Sequence, residues 1–443
     1  MVEQYLPISP PSRLKSMFMD LNAYFASCEQ QLDPSLRGRP LIVAPTAGDN
    51  TSAIAASYEA KRFGIKTGTN IGLAKQLCPD VVIVKGNHAA YTAFHKRIVE
   101  VCESVLPVDK VCSIDEMRFR LLETEAPPAV ARELALKMKK AIRENVGECM
   151  TASFGIATNH FLAKTATDMM KPDGLVILTA DDIPSRLYEL KLTDFCGINK
   201  RMKARLNAAG VFSSRQLLAL SPEEMRRAFG SVCGERYWFN LHGYEVDYET
   251  RQDQSLSHSH VLPPDLRTEE GAREVMMRLA HKATARLRAN KLWATHMGIY
   301  VKGMRRSWKV TLPVPPCQDS VTVTSLIASE WPSADFERPL QVGIVFTGLL
   351  RPEYVTPSLF DQTPERAEFS HAVDKMNHRF GKHSVFVGGM GQGRHSAEER
   401  IAFQKVELFV EGADDHAFDI ESYMGGERLD TWRGVKRESR LIS

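Results

Sequence analysis

The order of apolar and amphipathic segments predicts an α/β fold for the first part of the chain. Short apolar runs rich in β-favouring residues occur at 14–19, 40–44, 81–84 and 150–157, and helical periodicity occurs at 91–106 and 129–145. Strands and helices that alternate from residue 14 to 180 form one α/β unit. The chain returns like a hairpin near Glu116, which favours a mixed sheet over a fully parallel one.

The pattern changes twice after residue 182. Residues 183–243 indicate short helices and glycine-containing turns, with a hairpin at 195–200, and the polar residues 246–254 indicate a linker. A β-α-β-β-α-β order follows, typical of a split βαβ domain of roughly 100 residues. Its strands are predicted at 258–263, 296–301, 307–312 and 340–349, with 303–306 between the two middle strands, and its helices at 268–290 and 320–330. A last short helix is predicted at 369–379.

Length and composition set the broad class. A chain of 443 residues is too long for one core, and 43% apolar with 25% charged residues fits a soluble globular protein. No apolar run is long enough to cross a bilayer and the first residues do not resemble a signal peptide, so we expect a cytoplasmic protein without a membrane partner. The eight cysteines include no C-x-x-C pair and are expected to be reduced thiols.

Positive charge is concentrated in one segment. The formal net charge is only +3, but residues 273–309 contain ten Lys or Arg against one acid, Glu274. A solvated face is the ordinary explanation of a charge run. An excess this one-sided favours a polyanion partner.

Three carboxylates are candidates for metal binding. Asp20 follows the run 14–19, and Asp115 and Glu116 lie in the stretch 111–117. Carboxylates that converge on one point repel one another unless cations lie between them. The set predicts a magnesium site with two ions about 4 Å apart, an arrangement suited to in-line displacement at phosphorus. Because acidic pairs near strand ends are common, this interpretation depends on the surrounding residues.

Groups suited to a triphosphate occur in the same part of the chain. The first carboxylate lies at a strand-to-helix turn, where helix N–H groups point outward. Tyr24 and Phe25 of this turn are core residues, or one of them lies under a sugar and excludes a 2′-hydroxyl by bulk. Tyr58 shares one face of a helical turn with Lys61 or Arg62, which supplies a hydroxyl and a cation for phosphate oxygens.

Three further segments are candidate contacts. Pro172 stops a helix directly after Lys171 and fixes that ammonium in a loop. The hairpin at 195–200 can present backbone N–H groups to a DNA phosphate. Leu359 and Phe360, in a polar context, can insert into a groove of a partner.

These segments together resemble the Y-family, or translesion, DNA polymerases, and most closely the bacterial UmuC-type or DinB-like branch. The sequence DLNAYFASCE at 20–29 is similar to the first metal motif of that family, and SIDE at 113–116 matches the second. The resemblance extends in constant order over residues 14–350.

The resemblance implies a right-hand polymerase of α/β (α+β) class. The implied parts are a mixed-sheet catalytic palm (14–40 and 88–182), small fingers (41–87), a helix-hairpin-helix thumb (183–245), a linker (246–256), a DNA-binding βαββαβ little finger (257–352) and a partly flexible C-terminal extension (353–443). The peptide Ser358-Leu359-Phe360 in that extension resembles the end of a sliding-clamp-binding segment without its leading glutamine.

The resemblance also implies site residues. Asp20, Asp115, Glu116 and the Leu21 carbonyl would bind two Mg²⁺ ions, for which Mn²⁺ can substitute. Phe25 falls on the steric-gate position. The implied nucleotide contacts are Ala23, Tyr24, Phe25, Ile54 as the roof over the nascent pair, Ser57, Tyr58, Lys61 and Lys171. The implied DNA contacts are Gly197, Ile198, Lys200, Arg305 and Arg306. Implied partners are primed template DNA, deoxynucleoside triphosphates, a sliding clamp, and an accessory subunit or recombinase filament. The implied location is the nucleoid.

Four positions depart from the commoner family pattern. Asn22 stands where many members have a second aspartate, although the UmuC-type branch has asparagine there. Lys61 replaces a frequent arginine, His160 a frequent lysine, and Asn199 a frequent hairpin glycine.

Three functions are open at this point. The first is a DNA-templated nucleotidyltransferase that extends a primer opposite damaged template. The second is a catalytically idle, polymerase-like DNA-binding accessory factor. The third is another two-metal enzyme on a similar palm, such as a nucleotidyl cyclase, for which neither a thumb hairpin nor a basic little-finger segment would be of use.

Overall fold

The computed structural model describes residues 12–45, 48–49, 51–246, 255–355 and 363–381, with 384–386, 388–391, 393 and 396. These residues fall into two compact units, 12–246 and 255–396. The peptide Ser358-Leu359-Phe360 lies outside the described residues. Within the described part, none of the helices combines the length and apolar character needed to span a bilayer.

The first unit contains strands and helices in alternation. Its strands are β1 (Ser16–Leu21), β2 (Leu41–Ala44), β3 (Ala55–Ala56), β4 (Val82–Lys85), β5 (Val108–Val111), β6 (Glu116–Arg120), β7 (Ala152–Ala157) and β8 (Leu175–Leu178). Its α-helices are α1 (Tyr24–Leu32), α2 (Tyr58–Lys61), α3 (Ile71–Leu77), α4 (His88–Glu103), α5 (Pro128–Asn145), α6 (His160–Met169), α7 (Lys200–Ala208), α8 (Ser214–Leu218), α9 (Pro222–Phe229) and α10 (Val232–Leu241).

The main sheet of this unit has the strand order β5-β6-β1-β7-β8. β1 pairs antiparallel with both β6 and β7, while β7 and β8 are parallel. The central strands β1 and β7 are almost completely buried, which is why their sequences are continuous apolar runs. The predicted mixed sheet is therefore confirmed, and α6 packs against β1, β7 and β8.

A smaller sheet, β3-β2-β4, follows β1 and α1 in the chain. β2 is parallel to β4 and antiparallel to β3. Asn70 caps α3 by accepting the N–H of Leu73 at 3.1 Å. Residues Ile42, Ile65 and Ile71 are fully buried between this sheet and its helices.

Residues 183–246 form the predicted succession of short helices. α9 begins at Pro222, and Ser221 caps it by accepting the Glu224 N–H while the Glu224 carboxylate accepts the Ser221 N–H at 2.8 Å. This reciprocal capping box is readable in the sequence. Leu206 and Leu241 are fully buried in a core that these helices share with α6.

The second unit has the predicted β-α-β-β-α-β order, which confirms the fold class. Its elements are β9 (Ser255–Val261), α11 (Glu269–Ala289), β10 (Ala294–Arg306), β11 (Trp308–Cys317), α12 (Ser320–Glu330), β12 (Glu337–Thr347) and an additional helix, α13 (Thr363–Phe380). The sheet is antiparallel in the order β11-β10-β12-β9. The prediction that residues 303–306 separate two strands was wrong, because β10 continues through them with register shifts at Gly303.

Not all of the basic residues in segment 273–309 lie at the surface of the second unit. Arg278 and Arg288 are buried, so they do not add to a surface charge. Arg288 donates from Nε and Nη2 to the Asp374 carboxylate of α13 at 2.6 and 2.7 Å, and from Nη1 to the Gln318 carbonyl at 2.7 Å. The residues after α13 also pack here: Met390 is fully buried in the core of this unit.

Replacement of Asp374 by alanine is expected to lower the free energy of unfolding of this unit by roughly 3 kcal/mol. The Arg288 side chain is 3% exposed, and a buried guanidinium that loses its carboxylate is left uncompensated. Denaturant unfolding of the full chain measures the change. Lys375→Ala, at the neighbouring exposed position of the same helix, is the control and should stay close to the parent protein. Equal stability of Asp374→Ala and the parent would show that the pair contributes nothing.

Candidate active site

Three carboxylates meet at one end of the main sheet. Asp20 in β1 lies directly opposite Glu116, the first residue of β6. The Leu21 N–H donates to the Asp115 carbonyl at 2.8 Å, which holds the β5–β6 turn against the end of β1. The Ser113 hydroxyl donates to the Asp115 carboxylate at 2.5 Å. Side chains separated by about 95 residues in sequence are therefore brought together by backbone pairing.

The Asp20 carboxyl is in an environment that disfavours its charge. Its side chain is 15% exposed. Burial raises the pKa of Asp20 to about 6, the Lys171 ammonium opposes this rise, and the carboxylates of Asp115 and Glu116 add to it. The negative charges of Asp20, Asp115 and Glu116 therefore favour binding of a cation beside them.

Two lysines provide positive charge beside the carboxylates. Lys171 Nζ lies 2.8 Å from Asp20 Oδ2 and 2.8 Å from Asp168 Oδ1. Lys164 of α6 donates to both carboxylate oxygens of Glu116 at 2.8 and 2.7 Å. Burial opposes the charge of Lys171, but Asp20 and Asp168 outweigh it and raise its pKa.

The donor set fits divalent ions that prefer oxygen ligands. Asp20, Asp115 and Glu116 supply three carboxylates, and the Leu21 carbonyl is adjacent, so the chemistry matches hard cations such as Mg²⁺. In the described part of the chain, no three acidic, histidine or cysteine side chains are gathered as a ready metal group. Two of the three carboxylates face ammonium groups: Asp20 pairs with Lys171, and Glu116 pairs with Lys164.

Asn22 organises the residues next to the carboxylates. It is 2% exposed, its Oδ1 accepts from the Ser153 hydroxyl at 3.0 Å and the Tyr58 hydroxyl at 3.3 Å, and its Nδ2 donates to Thr151 Oγ1 at 3.2 Å. An amide both donates and accepts, whereas an ionised carboxylate only accepts. Asparagine at this position therefore positions Tyr58.

The predicted triphosphate cations lie beside these groups. Lys61 Nζ lies 4.1 Å from the centre of the Tyr58 ring. Burial, and next the Lys171 ammonium, lower the pKa of Lys61. Lys61 and Lys171 therefore form one cationic group near Asp20, and the Tyr58 ring lies against Lys61.

The hydroxyls of two other predicted nucleotide contacts already have partners in the protein. Ser57 is buried and its hydroxyl caps α2 by accepting the Ala60 N–H at 3.3 Å. The Tyr24 hydroxyl donates to the Tyr91 carbonyl at 2.6 Å in the core. Both hydroxyls therefore stabilise the fold, and nucleotide contacts by these two residues stay a prediction.

Phe25, in the first turn of α1, packs against Tyr91 of α4. It is 5% exposed, and its ring stacks on Tyr91 with centroids 4.7 Å apart and 29° between the planes. The Tyr91 hydroxyl donates to the buried Glu29 carboxylate at 2.6 Å. Ala23, just before α1, has a φ of 48°, a left-handed conformation that turns the chain sharply from β1 into α1. Ile54 lies near Tyr91, since a Cβ at Gly86 would be 3.4 Å from Ile54 Cδ1 and 3.6 Å from the Tyr91 ring.

The hairpin before α7 has exposed backbone and one buried anchor. Gly197 has a φ of 86°, Ile198 is buried, and Lys200 is exposed. Asn199 caps α7 by accepting the Met202 N–H at 2.9 Å, which gives a local reason for asparagine at this position. A cavity of about 300 Å³ lies between residues 193–199 and the α6 residues Lys164 and Asp168.

The second unit presents cations and an open sheet face. Arg305 and Arg306, at the end of β10, are more than half exposed and pair with Glu337 at 3.3 Å and Asp335 at 3.1 Å. On the sheet, a Cβ at Gly343 would lie 2.4 Å from the Tyr300 ring, so glycine there allows this ring to cross the strand.

Sequence reasoning missed Asn22 as the residue that anchors Tyr58, and Lys164 as the partner of Glu116. Their roles depend on cross-strand register and on how α6 lies against β6, neither of which appears as a spacing in the sequence. The only sequence signal for Lys164 was its position in the predicted helix that follows β7. A lysine on a helix by itself indicates only a face exposed to solvent.

Comparison with known proteins gives consistent similarities. The model of the impB/mucB/samB family matches residues 19–168, and that of its C-terminal domain matches residues 253–356. A DNA polymerase IV of Moorella thermoacetica is 30% identical over 383 residues, 83% of this chain and 94% of the relative. A DNA polymerase IV of Xanthomonas campestris is 35% identical over 254 residues, 57% of this chain and 70% of the relative.

Solved structures show the same fold. A chimera of the Y-family DNA polymerases Dbh and Dpo4 superimposes with a TM-score of 0.64 at 22% identity, over 76% of this chain and 99% of that one. An insertion ternary complex of Dbh DNA polymerase gives a TM-score of 0.53 at 24% identity, with the same coverage.

Proposed function

The chain belongs to the impB/mucB/samB family, the Y-family of translesion DNA polymerases, and we propose that Asp20, Asp115 and Glu116 form its polymerisation centre. It is a DNA-directed DNA polymerase, a nucleotidyltransferase that uses divalent metal ions. The observation that carries the proposal is the convergence of three carboxylates at paired strand ends, next to the cations Lys61 and Lys171.

The proposed centre binds two Mg²⁺ ions, or Mn²⁺ in their place, through the three carboxylates and the Leu21 carbonyl. When bound, such ions supply Lewis-acid activation of the primer 3′-hydroxyl and neutralise charge on the departing pyrophosphate. The protein contributes placement. β1 and β6 fix Asp20 opposite Glu116, and Ser113 orients Asp115.

The incoming nucleotide is proposed to lie along α1 and α2. Lys171, Lys61 and the Tyr58 hydroxyl bind triphosphate oxygens. Phe25 excludes a 2′-hydroxyl, and Ile54 lies over the nascent base pair. Ala23 contributes the turn that brings the start of α1 to this site.

Primed template DNA is proposed to bind through backbone and cations without sequence readout. The hairpin residues Gly197 and Lys200 would contact one strand, with Ile198 as the buried anchor. Arg305, Arg306 and the open sheet face around Tyr300 would contact the duplex. In these terms residues 14–40 and 88–182 are the palm, 41–87 the fingers, 183–245 the thumb and 257–352 the little finger, joined by the linker 246–256 and followed by the extension 353–443.

The double substitution of Arg305 and Arg306 by alanine is expected to weaken binding of every primed template about equally. It should reduce the slope of log affinity against log salt by about 2, since each phosphate contact releases about one counterion. Fluorescence anisotropy at several salt concentrations measures this. Lys375→Ala is the control, and an unchanged slope in the double variant would contradict the proposed DNA contact.

An idle accessory factor is not favoured, because all three carboxylates are present and the similar proteins are polymerases. Incubation with ATP alone, compared with primed template and four deoxynucleotides, distinguishes a polymerase from a cyclase. Extension of the primer and no cyclic product is expected.

We also propose that the protein acts at the nucleoid. Its proposed partners are a sliding clamp, bound through Leu359 and Phe360, and an accessory subunit or recombinase filament.

A further inference from the structure

Lys171 has two acidic partners in addition to its proposed role as a triphosphate cation. Its Nζ lies 2.8 Å from Asp20 Oδ2 and 2.8 Å from Asp168 Oδ1. We propose that Lys171 occupies Asp20 as a counter-ion until a nucleotide arrives, so that entry of the divalent ion is coupled to nucleotide binding. This inference rests on the proposed metal site.

Lys171 and a divalent ion would compete for one carboxylate. The ammonium is hydrogen-bonded to Asp20 Oδ2 at 2.8 Å, on the carboxylate that the divalent ion would need as a ligand. The two cations repel each other strongly in this part-buried site, where the Asp20 side chain is 15% exposed. Lys171 at this position therefore lowers the affinity of Asp20 for a metal ion.

Binding of the triphosphate would release Lys171 from Asp20. The Lys171 ammonium belongs to the same cationic group as Lys61, and its side chain is 27% exposed beside the space proposed for the triphosphate. Triphosphate oxygens bear several negative charges and accept hydrogen bonds from ammonium groups readily. A short movement transfers Lys171 from Asp20 to the phosphates while Asp168, three residues earlier in the chain, retains its hold.

The coupling between nucleotide and metal ion is reciprocal. If the nucleotide removes a competitor of the divalent ion, the nucleotide raises the affinity for the ion, and the ion raises the affinity for the nucleotide by the same factor. Without nucleotide, Lys171 neutralises Asp20. The affinity for the divalent ion is therefore lower before the nucleotide binds than after it.

The test measures Mn²⁺ binding to the full chain without nucleotide or DNA, from the electron paramagnetic resonance signal of free Mn²⁺. Lys171→Gln and Lys171→Met should bind Mn²⁺ about tenfold more tightly than the parent, which corresponds to about 1.4 kcal/mol. Lys171→Arg, which keeps a cation in reach of Asp20, should stay near the parent. Two neutral variants are used so that the test does not depend on one of them folding correctly. Unfolding curves of both variants would detect a folding defect.

The matched control is Lys61→Gln. It removes one positive charge from the same cationic group without removing the direct ion pair to Asp20, so its Mn²⁺ affinity should change by about twofold or less. Equal gains for Lys61→Gln and Lys171→Gln would mean a general charge effect and would overturn the proposal. No gain for either neutral variant of Lys171 would overturn it too.

Asp20→Asn separates this proposal from the one on which it rests. If Asp20→Asn and Asp115→Asn bind Mn²⁺ as the parent does, the metal site itself is misassigned. If both lose Mn²⁺ while the neutral variants of Lys171 gain nothing, the metal site holds and only the coupling through Lys171 fails.

Discussion

Replacement of Asp115 by alanine is expected to reduce primer extension about a thousandfold or more while leaving binding of primed DNA nearly unchanged. Electrostatic stabilisation by a bound metal ion is worth several kcal/mol, and each 1.4 kcal/mol is about a factor of ten in rate. Asp115 lies in the β5–β6 turn and is not part of a strand, so its removal leaves the sheet pairing intact. Single-turnover extension of a labelled primer and anisotropy of the same DNA measure the two quantities.

Asp109→Asn is the matched control for this loss. Asp109 lies in β5, six residues before Asp115, and pairs with Arg118, which is not one of the lysines that contact the carboxylates. It should retain nearly full extension. A normal extension rate for Asp115→Ala would remove this residue from the metal site, and an equal loss of DNA binding would indicate a structural role instead.

Replacement of Phe25 by alanine should admit ribonucleotides, with discrimination against them falling about a hundredfold. A pocket that rejects an added hydroxyl by shape alone typically discriminates about a hundredfold. Larger factors need a buried polar group that is left unpaired by the wrong substrate. The Phe25 ring stacks on Tyr91, and the Tyr91 hydroxyl is hydrogen-bonded to Glu29. The Phe25 ring is therefore held in place and cannot easily move to make room for a 2′-hydroxyl. The ratio of kcat/KM for deoxynucleotides to that for ribonucleotides is the quantity to measure.

A graded series strengthens this test. Phe25→Leu retains part of the bulk and should fall between the parent and the alanine variant. Phe63→Ala, which removes a phenylalanine that is 49% exposed, should leave the ratio unchanged. Since Phe25→Ala also loses packing in a buried position, its unfolding curve is recorded alongside. Unchanged sugar selection in a folded Phe25→Ala protein would mean that the ring is only a core residue.

The sequence was most informative where the backbone alone determines position. Continuous apolar runs marked β1 and β7 as buried strands, and the acids near the end of β1 and before β6 indicated that Asp20 and Glu116 could meet. The predicted and observed ends of the first strand differ. The predicted first strand ended at residue 19, whereas β1 extends to Leu21, so Asp20 is held inside the ladder and is not part of a turn.

Features that depend on packing between distant segments could not be predicted. Ten basic residues in 273–309 favoured a polyanion surface, yet Arg288 is buried against Asp374, which lies in another segment of the chain. No local pattern marks an arginine as internal when its partner is 86 residues away. The counter-ion role of Lys164 toward Glu116 is hidden for the same reason, since it follows from the placement of α6 against the sheet.

The placement of α13 has a practical consequence for the boundaries of the protein. A fragment that stops at residue 352, after the last strand of the second unit, would lack Asp374 and the buried Met390, and would leave the buried Arg288 guanidinium without its carboxylate. The stable form of the second unit is therefore longer than its four-stranded sheet and two helices. Truncations intended to isolate that unit would have to retain the stretch through residue 393, whose N–H donates to Glu274 at 3.1 Å.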